Sequence, residues 1–307
     1  MMYEPDEPRE PDEYDAFLEN WEPSELLDHA SLPQNLDDPY SRDLLLGDMT
    51  GEAGVTRTTY QHGTKLMGDD EKRARAYDFF AKHQREWSKG LREYVLERGV
   101  PVAKFNVYAR AFATDWVDGA KRRQHSPEML AIRASVRDHD RGFHRHAAGK
   151  YVRFPVADAV ETLFTPTEME VIFEANSGLV EAYLSKYIDH LDGAGPSTIS
   201  GLYVRRGVKM PAVDAHRIEM SELSSYSLGI GAVEQFAQQH TAKTKATGVQ
   251  SIFSAPLPAV QKRIVAFAPF IAKMDLRQLE LVVAPPVEKM LFVDQGEFGG
   301  IREYGFE

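Results

Sequence analysis

The chain has 307 residues, of which 43% are hydrophobic and 27% are charged, a balance typical of a soluble globular protein with one large domain or two ordinary ones. It contains no cysteine, which excludes disulfides, thiolate zinc sites, thiolate nucleophiles and iron–sulfur clusters. No apolar run approaches the roughly 20 residues of a membrane-spanning helix, and the N-terminus is acidic where a signal peptide is basic. We therefore expect a soluble chain without a classical export signal.

Residues 1–40 hold thirteen acidic side chains and one basic one, Arg9, for a net charge of −12. The whole chain carries −11, so the remainder is close to neutral, and we do not expect a basic nucleic-acid-binding platform. Residues 1–50 are predicted to form an acidic arm that is disordered on its own, because it has few apolar groups to offset the ordering entropy. The arm is either a solubility tail or a docking arm for a basic partner, with apolar anchors at Tyr14, Phe17, Leu18 and Trp21.

Residues 51–149 are predicted to form a helical domain. Asp69 or Asp70 can cap a long amphipathic helix, and Gly99 stops it. A second amphipathic pattern covers about 105–120, and a third helix opens at Ser126-Pro127-Glu128 with proline at its first position. Aromatic side chains recur at helical spacing along these segments, which indicates packing between helices.

Residues 138–146 contain three histidines and two aspartates. Imidazole and carboxylate ligands suit zinc and other first-row metal ions. Arg141 and Arg145 interrupt the run, however, and neither a helical pair of histidines at i, i+4 nor a zinc-finger spacing is present. We therefore expect a polar interdomain turn here and assign no metal site.

The pattern changes from residue 150 onward. Thr165-Pro166-Thr167-Glu168 is a capping box that opens a helix reaching about Leu191. One further helix is predicted near 230–240, and apolar segments of strand length lie at 201–208, 218–227, 263–270, 279–284 and 287–293. Helices followed by many strands predict an α+β fold, and the absence of a GxGxxG motif argues against a Rossmann nucleotide site.

Three groups of polar residues lie on these strand patterns. Arg206 shares a face with apolar neighbours, where a guanidinium is costly unless an anion meets it or its head reaches water. Ser225 and Ser227 point to one side of their strand, or alternatively mark a strand end that runs into a helix cap. Gln278 and Glu280 alternate in the same way, or else form an exposed polar pair on a sheet edge.

In this order and spacing, the residues resemble the mono-ADP-ribosyltransferase family, in its branch with Arg, Ser-x-Ser and Glu/Gln-x-Glu motifs. Val204-Arg205-Arg206-Gly207-Val208 is similar to the family's Arg-Gly strand, and Ser225-Tyr226-Ser227-Leu228 to its Ser-x-Ser strand. Gln278-Leu279-Glu280, with Pro285-Pro286 after it, is similar to the catalytic strand. The resemblance covers residues 150–307 and implies an ADP-ribosyltransferase-like split β-sandwich with helices, preceded here by the helical region.

The resemblance also implies roles for these residues, with NAD as the substrate. Glu280 would be catalytic, because a carboxylate stabilises the positive charge that builds on the ribose when the bond to nicotinamide breaks. Arg206 would bind the pyrophosphate. Ser225 and Ser227 would also bind the dinucleotide, and Gln278 would orient the acceptor nucleophile.

Two features depart from the family pattern. Arg205 and Arg206 are adjacent, so the strand register could exchange their roles, although Gly207 favours Arg206. Tyr226 stands where threonine is more common between the two serines.

The main functional hypothesis is a mono-ADP-ribosyltransferase that modifies a macromolecular acceptor, which we expect to be a protein. By analogy with architectures in which such a domain is joined to a helical part, it would be a phage virion protein or an injected effector acting in the host cytoplasm. The alternatives are a structural, virion-associated protein that keeps the fold without turnover, and a hydrolase that cleaves NAD with water. No membrane partner is expected.

Overall fold

A computed structural model describes residues 69–116, 126–139, 159–190, 198–211, 217–220, 224–228, 233, 248–274, 276, 279–284, 290–298 and 301–306. The predicted acidic arm and most of the predicted helix at 230–240 lie outside these residues. Gln278 and the Pro285-Pro286 pair also lie outside them. Their proposed roles therefore stay predictions.

Five α-helices are described, of which three precede residue 150. They are α1 (Asp69–Glu97), α2 (Val102–Ala111), α3 (Pro127–His139), α4 (Pro166–His190) and the short α5 (Leu257–Val260). A π-helical turn, Phe112–Trp116, continues α2, and 3₁₀ turns lie at Ile199–Gly201, Gln261–Arg263 and Ala268–Phe270.

The ends of these helices follow the sequence signals. Gly99 ends α1 in the left-handed region, with φ of 88°, as glycine commonly does after a helix. At the start of α4 the Thr165 backbone N–H donates to Glu168 Oε2 (2.7 Å), and the Glu168 N–H donates to Thr165 Oγ1 (3.3 Å). These two bonds form the capping box that the sequence predicts.

Eight strands of the described residues form one mixed sheet, so the fold is α+β, with the order β2-β7-β8-β4-β1-β3-β6-β5. Described strand pairs are antiparallel except β4 with β8, which is parallel. The strands are β1 (Tyr203–Pro211), β2 (Arg217–Met220), β3 (Ser224–Ser227), β4 (Gly248–Pro256), β5 (Ile264–Phe267), β6 (Glu280–Val283), β7 (Met290–Phe298) and β8 (Ile301–Phe306).

The sheet is nearly divided between β1 and β3. Strand β1 pairs with β4 along its whole length, from Tyr203 opposite Pro256 to Pro211 opposite Gly248. Among the described residues its pairing with β3, in contrast, occurs at one position, Arg205 opposite Ser227. A five-stranded part and a three-stranded part of the sheet therefore meet at these two residues.

The strands differ from the sequence prediction in three places. Strands β4 and β8 were not predicted, because serines and charged residues interrupt their apolar pattern. The predicted strand at 218–227 is two strands that lie far apart in the sheet order, β2 and β3. Strand β5 ends at Phe267, and the following 3₁₀ turn contains Pro269, which has no N–H for a ladder hydrogen bond.

One hydrophobic core joins the helices to the sheet, and it includes Trp87, Phe112 and Phe267. Buried Gln84 on α1 donates through Nε2 to the carbonyls of Ala268, Ile271 and Met274, at 3.2, 2.9 and 2.9 Å. The described parts of the predicted helical domain and of the predicted transferase domain therefore share one core across the boundary expected near residue 149.

Candidate functional site

A row of small and polar residues crosses the centre of the sheet. From β8 to β6 the register aligns Gly305, Ser254, Arg205, Ser227 and Glu280. Residues directly opposite one another in neighbouring strands point to the same face of a sheet. The guanidinium of Arg205 and the carboxylate of Glu280 therefore share one face, on either side of the position where the two parts of the sheet meet.

Ser225 lies on this face as well, because it is two residues before Ser227 on β3. The Nε1–H of Trp116, at the end of the π-helical turn, confirms the placement by contacting both β3 and β6. It donates to Glu280 Oε1 at 2.7 Å, and Ser225 Oγ lies 3.2 Å from the same nitrogen. The structure thus brings Ser225, Ser227 and Glu280 together with Arg205.

Arg206 lies on the opposite face of β1. It stands opposite Phe253, which stacks on Tyr304 with ring centroids 5.0 Å apart. It is also close to the buried phenol of Tyr226: burial raises the pKa of Tyr226 above its ordinary value of 10.0, and the charges of Arg206 and Arg263 lower it by less. The two-residue period of the strand therefore places Arg206 and Glu280 on opposite faces of the sheet. The sequence analysis favoured Arg206 over Arg205 because Gly207 follows it, whereas the strand register places Arg205 on the face of Glu280.

The backbone changes direction immediately before Glu280. Leu279 is buried and has φ of 43°, in the left-handed region that branched side chains rarely adopt, and β6 begins only at the next residue. The described strand therefore begins at Glu280, and the expectation that Gln278 and Glu280 face the same way stays a prediction, because Gln278 lies outside the described residues. Backbone strain of this kind is common beside functional groups.

The charged groups of this row are removed from water. Arg205 is 2% exposed, Ser227 5% and Glu280 6%. The Arg205 guanidinium also lies over the ring of Tyr203, 5.9 Å from its centroid. Charge-assisted hydrogen bonds are stronger where water is excluded. The guanidinium of Arg205 and the carboxylate of Glu280, held on one buried face, can therefore bind a ligand that has charged groups as well as hydroxyl groups.

Two residues of this site, Trp116 and Ser254, were not predicted from the sequence. Trp116 belongs to an aromatic stripe at helical spacing, which predicts packing, and nothing in the local sequence indicates a partner on β6. Ser254 lies on β4, which the sequence did not predict as a strand. Both contacts depend on long-range pairing, which a local pattern does not reveal.

The described residues hold no group of three or more histidine and carboxylate side chains that could bind a metal ion. In the histidine-rich segment, His139 contacts Glu170 at the end of α3, and residues 140–146 are outside the description. Of the helices described, none combines the length and apolar character needed to cross a membrane.

No protein-family model matches the sequence, and no curated protein matches it either. Solved structures of the ADP-ribosyltransferase Vis, a toxin from Vibrio splendidus, do match. The complex with inhibitor M6 has 14% identity and a TM-score of 0.26, covering 68% of this chain and 87% of Vis. A second structure has 11% identity and a TM-score of 0.27, covering 70% and 89%. The complex with agmatine has 13% identity and a TM-score of 0.26, covering 68% and 87%.

This chain is therefore similar, over 68 to 70% of its length, to an ADP-ribosyltransferase of known structure.

Proposed function

We propose that this protein is a mono-ADP-ribosyltransferase that moves ADP-ribose from NAD to a protein acceptor. The observation that carries the proposal is the alignment of Arg205, Ser227 and Glu280 across β1, β3 and β6, with Ser225 beside them. These are the residue types that the family motifs supply, and they meet on one face at the junction of the two parts of the sheet.

The proposed reaction breaks the bond between the anomeric carbon of the ribose and the nicotinamide nitrogen. The bonding pair leaves with nicotinamide, which departs as a neutral molecule, and the ribose passes through an oxocarbenium-like state. The acceptor nucleophile then bonds to the anomeric carbon and releases its proton. Glu280 would stabilise the developing positive charge and accept a hydrogen bond from a ribose hydroxyl.

The other residues would hold the dinucleotide. We assign the pyrophosphate to Arg205, in the role that the sequence motif gave to Arg206, because Arg205 shares the face of Glu280. A guanidinium fork suits the two phosphate groups. Ser225 and Ser227 would donate hydroxyl hydrogen bonds to the ribose or the carboxylate. Gln278 would orient the acceptor, as the resemblance implies. The proposed phage setting rests on the analogy with architectures that join such a domain to a helical part.

The proposal is tested by incubating the purified protein with NAD labelled on its adenylate part and with a bacterial lysate. Wild-type protein is expected to label one or more protein bands. Glu280→Ala is expected to abolish the label, whereas Glu174→Ala, which removes an exposed carboxylate from α4, should leave it unchanged.

The other outcomes each count against the proposal. Free ADP-ribose without labelled bands would indicate that water is the acceptor and that the protein is an NAD hydrolase. No consumption and no binding of NAD would overturn the enzymatic function and favour the structural, virion-associated alternative.

A further inference from the structure

We infer that Trp116 is a positioning residue for Glu280: its indole N–H fixes the carboxylate in the orientation that the reaction requires. The inference rests on the proposed function, and it adds a residue from the helical region to a site otherwise built from strands. The residue acts through Glu280 and is not proposed to contact the substrate.

The geometry of the contact is that of a charge-assisted hydrogen bond. The distance from Trp116 Nε1 to Glu280 Oε1 is 2.7 Å, at the short end of the range for N–H donors to carboxylates. An indole has one N–H and no acceptor, so its role toward a carboxylate is unambiguous. A carboxylate offers two oxygens and about four lone-pair positions, so this bond orients the group without exhausting its capacity to accept others.

The indole itself is held in place from three sides. Trp116 is 4% exposed and packs against Phe112, with ring centroids 5.8 Å apart. The guanidinium of Arg133 on α3 lies over its ring at 5.5 Å, and Ser225 Oγ lies 3.2 Å from its nitrogen. A donor fixed in this way costs little entropy when it orients its acceptor, which is the usual requirement for a group that supports a functional side chain.

The backbone that carries Trp116 is also unusual. Residues Phe112–Trp116 form a π-helical turn that continues α2. Such turns are rare, and they occur frequently at functional sites. Because a π-helical turn is wider than an α-helical one, it changes the direction in which the residue at its end points. Here that residue is Trp116, whose partner lies 164 positions away in the sequence.

The proposal predicts a specific kinetic defect. Trp116→Phe keeps an aromatic ring and deletes the N–H donor. Loss of a hydrogen bond to a charged group is expected to lower kcat for nicotinamide release by about 10- to 100-fold. The KM for NAD should change by less than about threefold, because the bond orients Glu280 and does not hold the dinucleotide.

Trp87→Phe is the matched control. Trp87 is a buried tryptophan on α1 that stacks on Tyr183, and its ring contacts within the described part of the chain involve no residue of the site. The same substitution there removes the same atoms from the core. It should leave kcat close to that of the wild type, so a general effect of loosening the core is separated from the loss of the N–H.

A spectroscopic measurement tests the hydrogen bond without any activity assay. The chain has three tryptophans, so the ¹⁵N–¹H spectrum of the full protein has three indole N–H signals. The variants Trp21→Phe and Trp87→Phe assign two of these signals, and the third then belongs to Trp116. Glu280→Ala should move the Trp116 signal upfield and leave the Trp87 signal in place. This result does not require Trp116→Phe to fold well.

The outcomes of the two measurements are distinguishable. An active wild type with a slow Trp116→Phe, together with a Trp116 signal that responds to Glu280→Ala, supports the inference. An active wild type with unchanged kcat in Trp116→Phe, or an unresponsive Trp116 signal, overturns the inference and leaves the proposed function standing. A wild type that does not cleave NAD overturns the proposed function and, with it, the role assigned to Trp116.

Discussion

The adjacent arginines of β1 have similar chemistry and opposite surroundings. Arg205 is buried on the face that carries Glu280, whereas Arg206 is partly buried on the face that carries Phe253 and Tyr226. A guanidinium that is shielded from water attracts an anion more strongly than one that water screens. We therefore expect binding of the NAD pyrophosphate to depend on Arg205.

The prediction at this position is a matched pair of substitutions. Arg205→Lys keeps the charge but removes the planar fork, and it should weaken NAD binding by about 10- to 100-fold, the scale of one or two charge-assisted hydrogen bonds. Arg206→Lys should change NAD binding by less than about threefold, because Arg206 lies on the face of the sheet away from Glu280 and is not expected to contact the pyrophosphate. Titration calorimetry with NAD measures both. A larger loss in Arg206→Lys than in Arg205→Lys would restore the assignment favoured by Gly207.

At the residue scale, the sequence predicts side-chain orientation well where the two-residue period of a strand determines it. The alternation of Ser225 and Ser227 puts both on one face, and the register then places Glu280 on that face. The choice between Arg205 and Arg206 needed the pairing of β1 with β3, which is long-range. The partnership of Trp116 with Glu280 was beyond local patterns for the same reason.

At the scale of elements, the start of α4 joins a helix cap to an ion pair between helices. Lys104 Nζ on α2 lies 2.6 Å from Glu168 Oε2, which also accepts the capping hydrogen bond from Thr165. Burial by itself raises the pKa of Glu168, but Lys104 and Thr165 lower it by more, so the net pKa lies below the ordinary value of 4.5.

This shift predicts a pH dependence of folding stability. A carboxyl group with a depressed pKa in the folded state stabilises the protein above its unfolded value, and that contribution is lost as pH falls through the folded value. The difference in free energy of unfolding between wild type and Glu168→Gln should therefore be constant above about pH 5.5 and shrink below about pH 4.5. Urea denaturation from acidic to neutral pH measures this difference.

Glu174→Gln is the control for the pH series, since it changes an exposed carboxyl group on the same helix. Its free energy of unfolding should follow the wild type across the range. A difference between wild type and Glu168→Gln that widened as the pH fell would contradict the assigned direction of the Glu168 pKa.

The helices were more predictable from sequence than the strands. Asp69, Gly99 and the capping box at Thr165 carry strong local signals, and α1 and α4 follow them. Strands β4 and β8 carry weak local signals, because their stability comes from their neighbours in the sheet. Their parallel pairing joins segments that are distant in sequence, so no hairpin turn indicates it.

At the scale of the whole molecule, the helices before residue 150 are part of the core that supports the site. Tyr108 on α2 donates from its hydroxyl to the Val265 carbonyl at 2.6 Å, and Gln84 on α1 contacts the 3₁₀ turn after β5. Trp116 reaches Glu280 itself. The sequence resemblance covered residues 150–307, and these contacts join helices before residue 150 to that range. We therefore expect the folding unit to begin earlier than residue 150.

We therefore predict that a chain of residues 150–307 does not fold by itself. It would lack, among others, the core side chains Phe80, Trp87, Leu91, Phe105 and Phe112. Burying each large apolar side chain contributes about 1.5–3 kcal/mol, and a domain has only about 5–15 kcal/mol of net stability. Circular dichroism during urea denaturation should show no cooperative transition. A chain of residues 51–307, which lacks only the predicted acidic arm, should retain one.

The domain boundary predicted near residue 149 depends on this result. A cooperative transition in residues 150–307, with the stability of the full chain, would show that the helical region is dispensable for folding. It would then return the helices to the separate role of docking or assembly that the sequence predicted.

The most direct test of the proposed role of Glu280 is the rate at which Glu280→Gln releases nicotinamide from NAD, compared with the wild type. The substitution keeps the shape of the side chain and an oxygen that can accept the Trp116 N–H, and it removes the negative charge. We predict that kcat falls by about 10²- to 10³-fold, as when one preorganised electrostatic group is lost, while the KM for NAD stays within about threefold. Nicotinamide release at the wild-type rate would contradict the central claim that the carboxylate of Glu280 stabilises the charge on the ribose.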